Sequence, residues 1–290
     1  MDDLTMDLVR LCQRNRDGSY GTQNNRRRGL TAMANDLADL GYKLPAASSL
    51  KPKHVEALVE RWLDGDTTDA SVRNRLTWLR WWAEKINKPN VVNRDNAAYG
   101  VAERGEVTRN RAQVLDPAKH GDVECPYIQT SLLLQSAFGL RREEAMKFQP
   151  EEAIRGDHIA LKASWTKGGR ARTIPITTLE QQQVLQEAKR LVPGRGSLIP
   201  AQMTYVEHLK RFEYQTLKAG LRNTHGLRHA YAQQRYRALT GRPCPLAGGK
   251  RWADMDSNER AADRAARHKI SAELGHGRLK ITDTYLGSAF

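Results

Sequence analysis

The sequence predicts a mainly α-helical chain with a small antiparallel β-sheet, divided into an N-terminal helical domain and a larger second domain. Three observations predict this. Apolar residues recur at helical spacing through residues 1–87, and the periodicity fades between residues 88 and 117. A strand–turn–strand pattern then appears inside an otherwise helical remainder, 118–290. At 290 residues the chain is long enough to bury two cores.

Taken in order, residues 22–40 place Leu30, Met33, Leu37 and Leu40 on one helical face, and Gly41 is a fitting stop. The early turns carry Arg26, Arg27 and Arg28, where cations oppose the helix dipole. Such a run is either a solvated charge cluster or a set of DNA phosphate contacts. Residues 51–63 repeat the apolar pattern with Val55, Leu58, Val59 and Trp62. Between 68 and 86 the stripe is Val72, Leu76, Leu79, Ala83 and Ile86, while Arg73, Thr77 and Arg80 share a separate flank. That flank has the size and donors to enter a DNA major groove. Trp78 and Trp81 lie off the stripe, either packed on a neighbouring helix or stacked on bases.

Pro89, Asn90, Asn93, Asn96, Gly100 and Gly105 give 88–117 the texture of a linker, with Arg104, Arg109 and Arg111 making it basic. Residues 125–138 then form an apolar helix leading into Gly139, Leu140 and Arg141. Strands are expected at 157–161 and 172–176, with Gly168 and Gly169 supplying the positive φ angles of a tight hairpin beside Lys167. Further helices are expected at 179–191, 203–220, 225–239 and 257–274.

Lys and Arg number 47 against 33 Asp and Glu, a formal charge of +14. A surplus that size attracts polyanions such as nucleic acid, unless it marks only a basic soluble surface. Cys12, Cys125 and Cys244 are far apart, without a C-x-x-C pair, so neither a zinc ribbon nor a disulfide framework is indicated. Few, unpaired cysteines fit a reducing compartment. The acidic start Met1-Asp2-Asp3-Leu4 lacks the basic and apolar regions of a signal peptide. No apolar run approaches the roughly 20 residues of a membrane helix. The expectation is a cytoplasmic protein with no membrane partner.

Four stretches carry candidate chemistry. Attack on a phosphodiester needs cations for the developing charge, a proton donor and a nucleophile. Arginine suits the first role because its planar fork stays charged and donates in parallel, and Arg141 and Arg228 lie on separate elements. Glu144, one turn after Arg141, is placed to orient it. Lys167 at a hairpin tip can reach a leaving oxygen. His225 and Arg228 share a helical face. His225 and His229 have metal-pair spacing, but Gly226 replaces the glutamate of a zincin motif and no carboxylate ligand is evident, so no metal and no cofactor is expected. Tyr285 is the candidate nucleophile, with His225 and His276 available to help it lose its proton. Tyr231 and Tyr236 are rivals that look like the packing face of the His225 helix.

As a set these stretches resemble the catalytic boxes of the tyrosine recombinase (phage integrase) family. Gly139-Leu140-Arg141 with Glu144 is similar to its G-L-R-x-x-E box, and Lys167 to its hairpin lysine. His225, Leu227, Arg228 and His229 match H-x-L-R-H, and Leu274-Gly275-His276 match L-G-H, with Tyr285 nine residues beyond His276 (285 − 276). The resemblance covers roughly residues 118–290, and residues 1–87 look like the family's helical, SAM-like core-binding domain. It implies a clamp around duplex DNA and cleavage to a 3′-phosphotyrosine, later attacked by the 5′-hydroxyl of a partner strand. It also implies a homo-tetramer on two DNA sites, monomeric or dimeric without DNA, in a bacterial or phage-like, nucleoid-associated setting. Arg141 and Arg228 would bind the scissile phosphate, His225 and His276 assist, Lys167 act as general acid and Glu144 support. A type IB topoisomerase-like enzyme and a non-catalytic DNA-binding protein of the same fold are the alternatives.

The chain departs from the family pattern in places. Gly226 stands where aspartate is frequent and Ala145 where leucine is. Arg228 and His276 are 48 residues apart (276 − 228), longer than usual, which predicts an insertion at about 240–256 touching DNA or a neighbouring protomer, or a surface loop. Only Leu286–Phe290 follow Tyr285, so the long tail that relatives pass to a neighbour is expected to be missing, as is an arm-site domain before residue 1.

Overall fold

Side-chain caps start the helices of the N-terminal region. Asp2 accepts from the Thr5 N–H, Ser19 from Thr22 and Thr68 from Ser71, which opens α1 (Asp3–Arg14), α2 (Tyr20–Asp39) and, after α3 (Pro52–Asp64), α4 (Asp69–Lys85). Their apolar faces meet in a core built around Leu8, Leu30, Leu37, Val55, Leu58, Leu76, Leu79 and Trp82. The structure is a computed structural model that describes residues 2–103, 105–166 and 168–289. It divides into two compact units, Met1–Gly105 and Glu106–Phe290.

That boundary shares out the expected linker. Val92 and Val101 are buried in the first core, and burying one valine contributes about 1.5–3 kcal/mol. Residues 88–105 are thus part of the first unit. Helix α1, inside the stretch read as helical but given no bounds of its own there, completes it. Trp78 packs against α2, where a Cβ at Gly29 would come within 2.2 Å of the indole. Trp81 donates to Asp17 at 3.0 Å, so both tryptophans hold the helices together.

The second unit begins with α5 (Pro117–Gly121) and the apolar α6 (Pro126–Phe138), followed by the short α7 (Arg142–Met146) and α8 (Pro150–Ala153). Then come β1 (Ile154–Arg155), β2 (His158–Leu161) and β3 (Arg172–Pro175), an antiparallel sheet in that order with Ile159 opposite Ile174. Gly168 and Gly169 take positive φ as expected. The connection is not a tight turn, however: it runs from 162 to 171 and includes a 3-10 turn at Ala163–Trp165, anchored by the buried Trp165. Helices α9 (Leu179–Leu191), α10 (Tyr205–Lys218), α11 (His225–Thr240), α12 (Ser257–Glu273) and α13 (Asp283–Leu286) complete the unit. Phe138, Leu161, Ile174, Tyr236, Ile270 and Leu286 lie in its principal core.

One glycine decides how α6 delivers the next segment. Gly139 sits at φ +61, and a Cβ there would lie 2.5 Å from the Tyr231 ring. Gly139→Ala combines left-handed strain with overpacking and should lower stability by about 2–4 kcal/mol in denaturant unfolding. A loss under about 0.5 kcal/mol would show that the site relaxes freely.

Candidate active site

The site is assembled where α6 ends. The turn at Gly139 makes Arg141 the N-cap of α7, with Glu144 in its first turn. Glu144 Oε2 accepts the Arg141 backbone N–H at 2.8 Å, and Oε1 accepts its Nη1 at 2.8 Å. From β3, Arg172 adds Nη2 at 2.6 Å and Nη1 at 3.1 Å. Arg228 Nη1 stands 4.0 Å away. Glu144 is only 1% exposed. Burial pushes its pKa up, but bonds and charge from Arg172 and Arg141 outweigh burial and hold it at about 2. It is a buried anion that fixes guanidinium positions. Sequence reasoning passes over Arg172 as an ordinary strand residue. Its signal was register: Arg172 shares the buried face of β3 with Ile174, where a cation needs a partner.

Arg228, on α11, is 0% exposed. Its Nη1 donates to Gly139 O and its Nη2 to Leu274 O, while Nε lies 3.3 Å from the Tyr285 hydroxyl. Burial lowers its pKa to about 10, which leaves it cationic at neutral pH. His225 begins the same helix and is exposed, its ring 6.3 Å from that of Tyr285. His229, one turn on, is buried with its ring 4.5 Å from Tyr285. Burial first, then the charges of His225, Arg111 and Arg228, push His229 down to about 4. Gly226 has a local reason: a Cβ there would lie 2.8 Å from the Arg111 carbonyl, and its own carbonyl accepts from Gln113 N.

Two turns of chain close the site. After α12, Gly275 at φ +69 returns His276 toward Arg228. His276 Nε2 is 3.3 Å from Arg228 Nη2. A guanidinium only donates, so Nε2 accepts and Nδ1, which has no partner among the described residues, holds the proton. Burial, followed by Arg228, Arg141 and Arg172, drives the His276 pKa to about 3. Its ring stacks on Tyr285 at 5.3 Å and 21°. Tyr285, 5% exposed on α13, is further held by Gln233 Nε2 donating to its carbonyl at 3.0 Å.

The second unit therefore brings Arg141, Glu144, His225, Arg228, His276 and Tyr285 together. Lys167 lies outside the described residues. The rivals are internally engaged: Tyr231 donates to Glu273 at 2.8 Å and Tyr236 to Asp263 at 2.6 Å.

The first unit treats its six expected DNA contacts unequally. Arg26 departs from the expectation, because it is buried, paired with Asp17 at 3.1 Å and stacked 3.9 Å over Trp81. Arg27 and Arg28 are exposed. Arg80 donates to Asn93 O and Asn96 Oδ1, Arg73 to Ala102 O, and the Thr77 hydroxyl to Arg73 O, so this flank is partly engaged with residues 93–102.

Comparison with known proteins bears on the family and the fold. Residues 1–89 match a family model described as phage integrase, N-terminal, and residues 98–234 match one described as integrase. No curated protein matches the chain by sequence. Among solved structures, a lambda integrase dimer bound to a COC′ core site aligns with a TM-score of 0.64 at 14% identity, covering 97% of this chain and 93% of that one. XerH site-specific recombinase bound to difH substrate gives 0.56 at 16%, covering 97% and 80%. Tn1549 transposon integrase with circular intermediate DNA gives 0.53 at 14%, covering 100% and 97%. At such identities the structural likeness is one of fold. His276 and Tyr285 lie beyond the matched residues 98–234, so their place rests on the geometry.

The buried ionisable groups give a pH signature. Glu144 has a folded pKa of about 2 against 4.5, so its stabilisation is present above 4.5 and lost as pH falls through about 2. His229 and His276, at about 4 and about 3 against 6.5, are protonated first in the unfolded chain, so stability already falls below pH 6.5. Thermal unfolding of the wild type should therefore weaken steadily from pH 6.5 downward. Glu144→Gln should be less stable at pH 7 yet decline less steeply below pH 4.5. Parallel profiles would contradict the anionic role of Glu144.

Proposed function

The chain belongs to the tyrosine recombinase (phage integrase) family, and we propose that it cleaves and rejoins duplex DNA at specific sites through a covalent bond between Tyr285 and a DNA 3′-phosphate. The observation that carries this reading is the Tyr285 hydroxyl 3.3 Å from Arg228 Nε, with its ring stacked on His276, inside one unit of one chain.

In this reading the Tyr285 oxygen attacks phosphorus as the P–O5′ bond breaks. Arg228 and the more open Arg141, 21% exposed in its side chain, carry the charge that gathers on the non-bridging oxygens. A histidine with a pKa near 3 is a poor proton acceptor, so His276 orients the phenol and bonds the phosphate. The exposed His225 is the better imidazole for taking the phenol's proton. Lys167, by its place in the family pattern, delivers a proton to the departing 5′-oxygen. The freed 5′-hydroxyl of a partner strand then attacks the phosphotyrosine, which returns the phenol and joins the strands. The phosphoester energy stays in that link, so rejoining needs no nucleoside triphosphate.

The partner is duplex DNA. The lambda integrase compared above is a dimer bound to a core site; we read this chain as acting on paired sites, as a homo-tetramer, to integrate or excise mobile DNA. Exposed Arg27 and Arg28 are its best-placed phosphate contacts in the first unit.

Denaturing cells that express the protein and sequencing the DNA left attached should yield ends clustered at a few sequences. Built into a nicked duplex, those sequences should trap a covalent adduct. Arg141→Ala and Arg228→Ala should slow adduct formation by about 100–1,000-fold, the cost of losing one transition-state donor. Affinity should fall only a few-fold, because one phosphate contact is a small part of such an interface. Equal losses of rate and affinity would favour a protein that only binds DNA.

A further inference from the structure

The segment that carries Tyr285 is short, and α13 alone cannot hold it: a four-residue helix makes a single turn. What holds it is a buried ionic cluster under its other side. Arg267 of α12 is 0% exposed. Its Nε donates to Asp263 at 2.7 Å, and its Nη1 reaches Asp283 at 3.1 Å and Gly287 O at 2.9 Å. Asp263 also accepts the Tyr236 hydroxyl, so the cluster is tied to α11, the helix that bears Arg228. Asp283 and Gly287 flank Tyr285 by two residues on either side, and one guanidinium therefore grips the chain before and after the nucleophile. Loop 241–256 closes over the same segment. Its Cys244 is buried in the core that includes Tyr285 and Leu286, and a Cβ at Gly287, φ +95, would lie 2.9 Å from Pro245.

We propose that Arg267 is a positioning residue, which holds Tyr285 against Arg228 of its own subunit through Asp283 and Gly287. The loop expected to touch DNA or a neighbour then has an internal role, packing the outer side of the tyrosine segment. The role of Arg267 rests on the reading of Tyr285 as nucleophile, but the anchoring it describes is measurable without DNA. Misplacing a nucleophile by about 1 Å can cost about 100-fold in rate.

Two variants test this. Arg267→Met removes the grip but leaves two buried carboxylates unpaired. Asp283→Asn is the milder change, since it keeps the Arg267–Asp263 pair and weakens only the link to the tyrosine segment. Hydrogen exchange should rise about tenfold or more at residues 283–287 in Asp283→Asn, while amides of α6, β2 and β3 keep their protection. On a nicked duplex at saturating concentration, adduct formation should fall by about 10–100-fold with affinity within about threefold. Arg267→Met, where it folds, should be the more severe, and Arg267→Lys should recover part of the rate. Unchanged exchange at 283–287, a rise spread evenly over the second unit, or an unchanged adduct rate at saturating DNA would each overturn the proposal. A wild type that forms no adduct while 283–287 loosen as described would strike the assignment of Tyr285 instead, and leave the anchor standing.

Discussion

The second unit depends on keeping one arginine charged without solvent. Arg228 is wholly enclosed, and an enclosed guanidinium without partners costs several kcal/mol. The chain answers by ending three remote segments against it. The turn after α6 offers Gly139 O, the end of α12 offers Leu274 O, and α13 brings the Tyr285 hydroxyl to Nε. Glu144, itself held by Arg141 and Arg172, supplies the nearby negative charge. Solvating one cation and assembling one site are here the same event, which explains why residues separated by half the chain converge.

The same constraint shapes the electrostatics around Tyr285. Guanidiniums and burial act together on His276 and His229, driving both to the neutral form well below neutral pH. Neutral rings can lie flat against a phenol beside fixed cations without adding repulsion. His225 is the most open imidazole of the group, His276 is partly open and His229 is buried. A site of this kind is arranged to receive negative charge, in keeping with the surplus of basic residues along the chain.

Much of this was legible in the sequence because it was written in local pattern. Helices α2, α3, α4, α6 and α9 to α12 follow from apolar periodicity, and the strands β2 and β3 from the runs around the paired glycines. The short α7, α8 and α13 were not legible, since their lengths are fixed by turns and by tertiary bonds rather than by a repeating face. Arg172 and Arg267 were passed over for the same reason. A buried charge is invisible in a pattern until its partners, Glu144 for one and Asp263 with Asp283 for the other, are seen beside it. Arg26 shows the converse: in a run of three arginines, position on the helix turned one inward onto Trp81 and Asp17 and left two outside. Residues 88–105 lacked helical periodicity, yet Val92 and Val101 are buried in the first core, and Arg73 and Arg80 bond the segment between them.

The central claim concerns one oxygen atom, and mass spectrometry can address it directly. Protein trapped on DNA would be digested with nuclease and protease, and the peptide bearing a residual nucleotide identified by fragmentation. The account predicts the nucleotide on the Tyr285 hydroxyl, linked through the 3′-phosphate. A nucleotide on Tyr231, Tyr236 or any other side chain, or one linked through a 5′-phosphate, would contradict it.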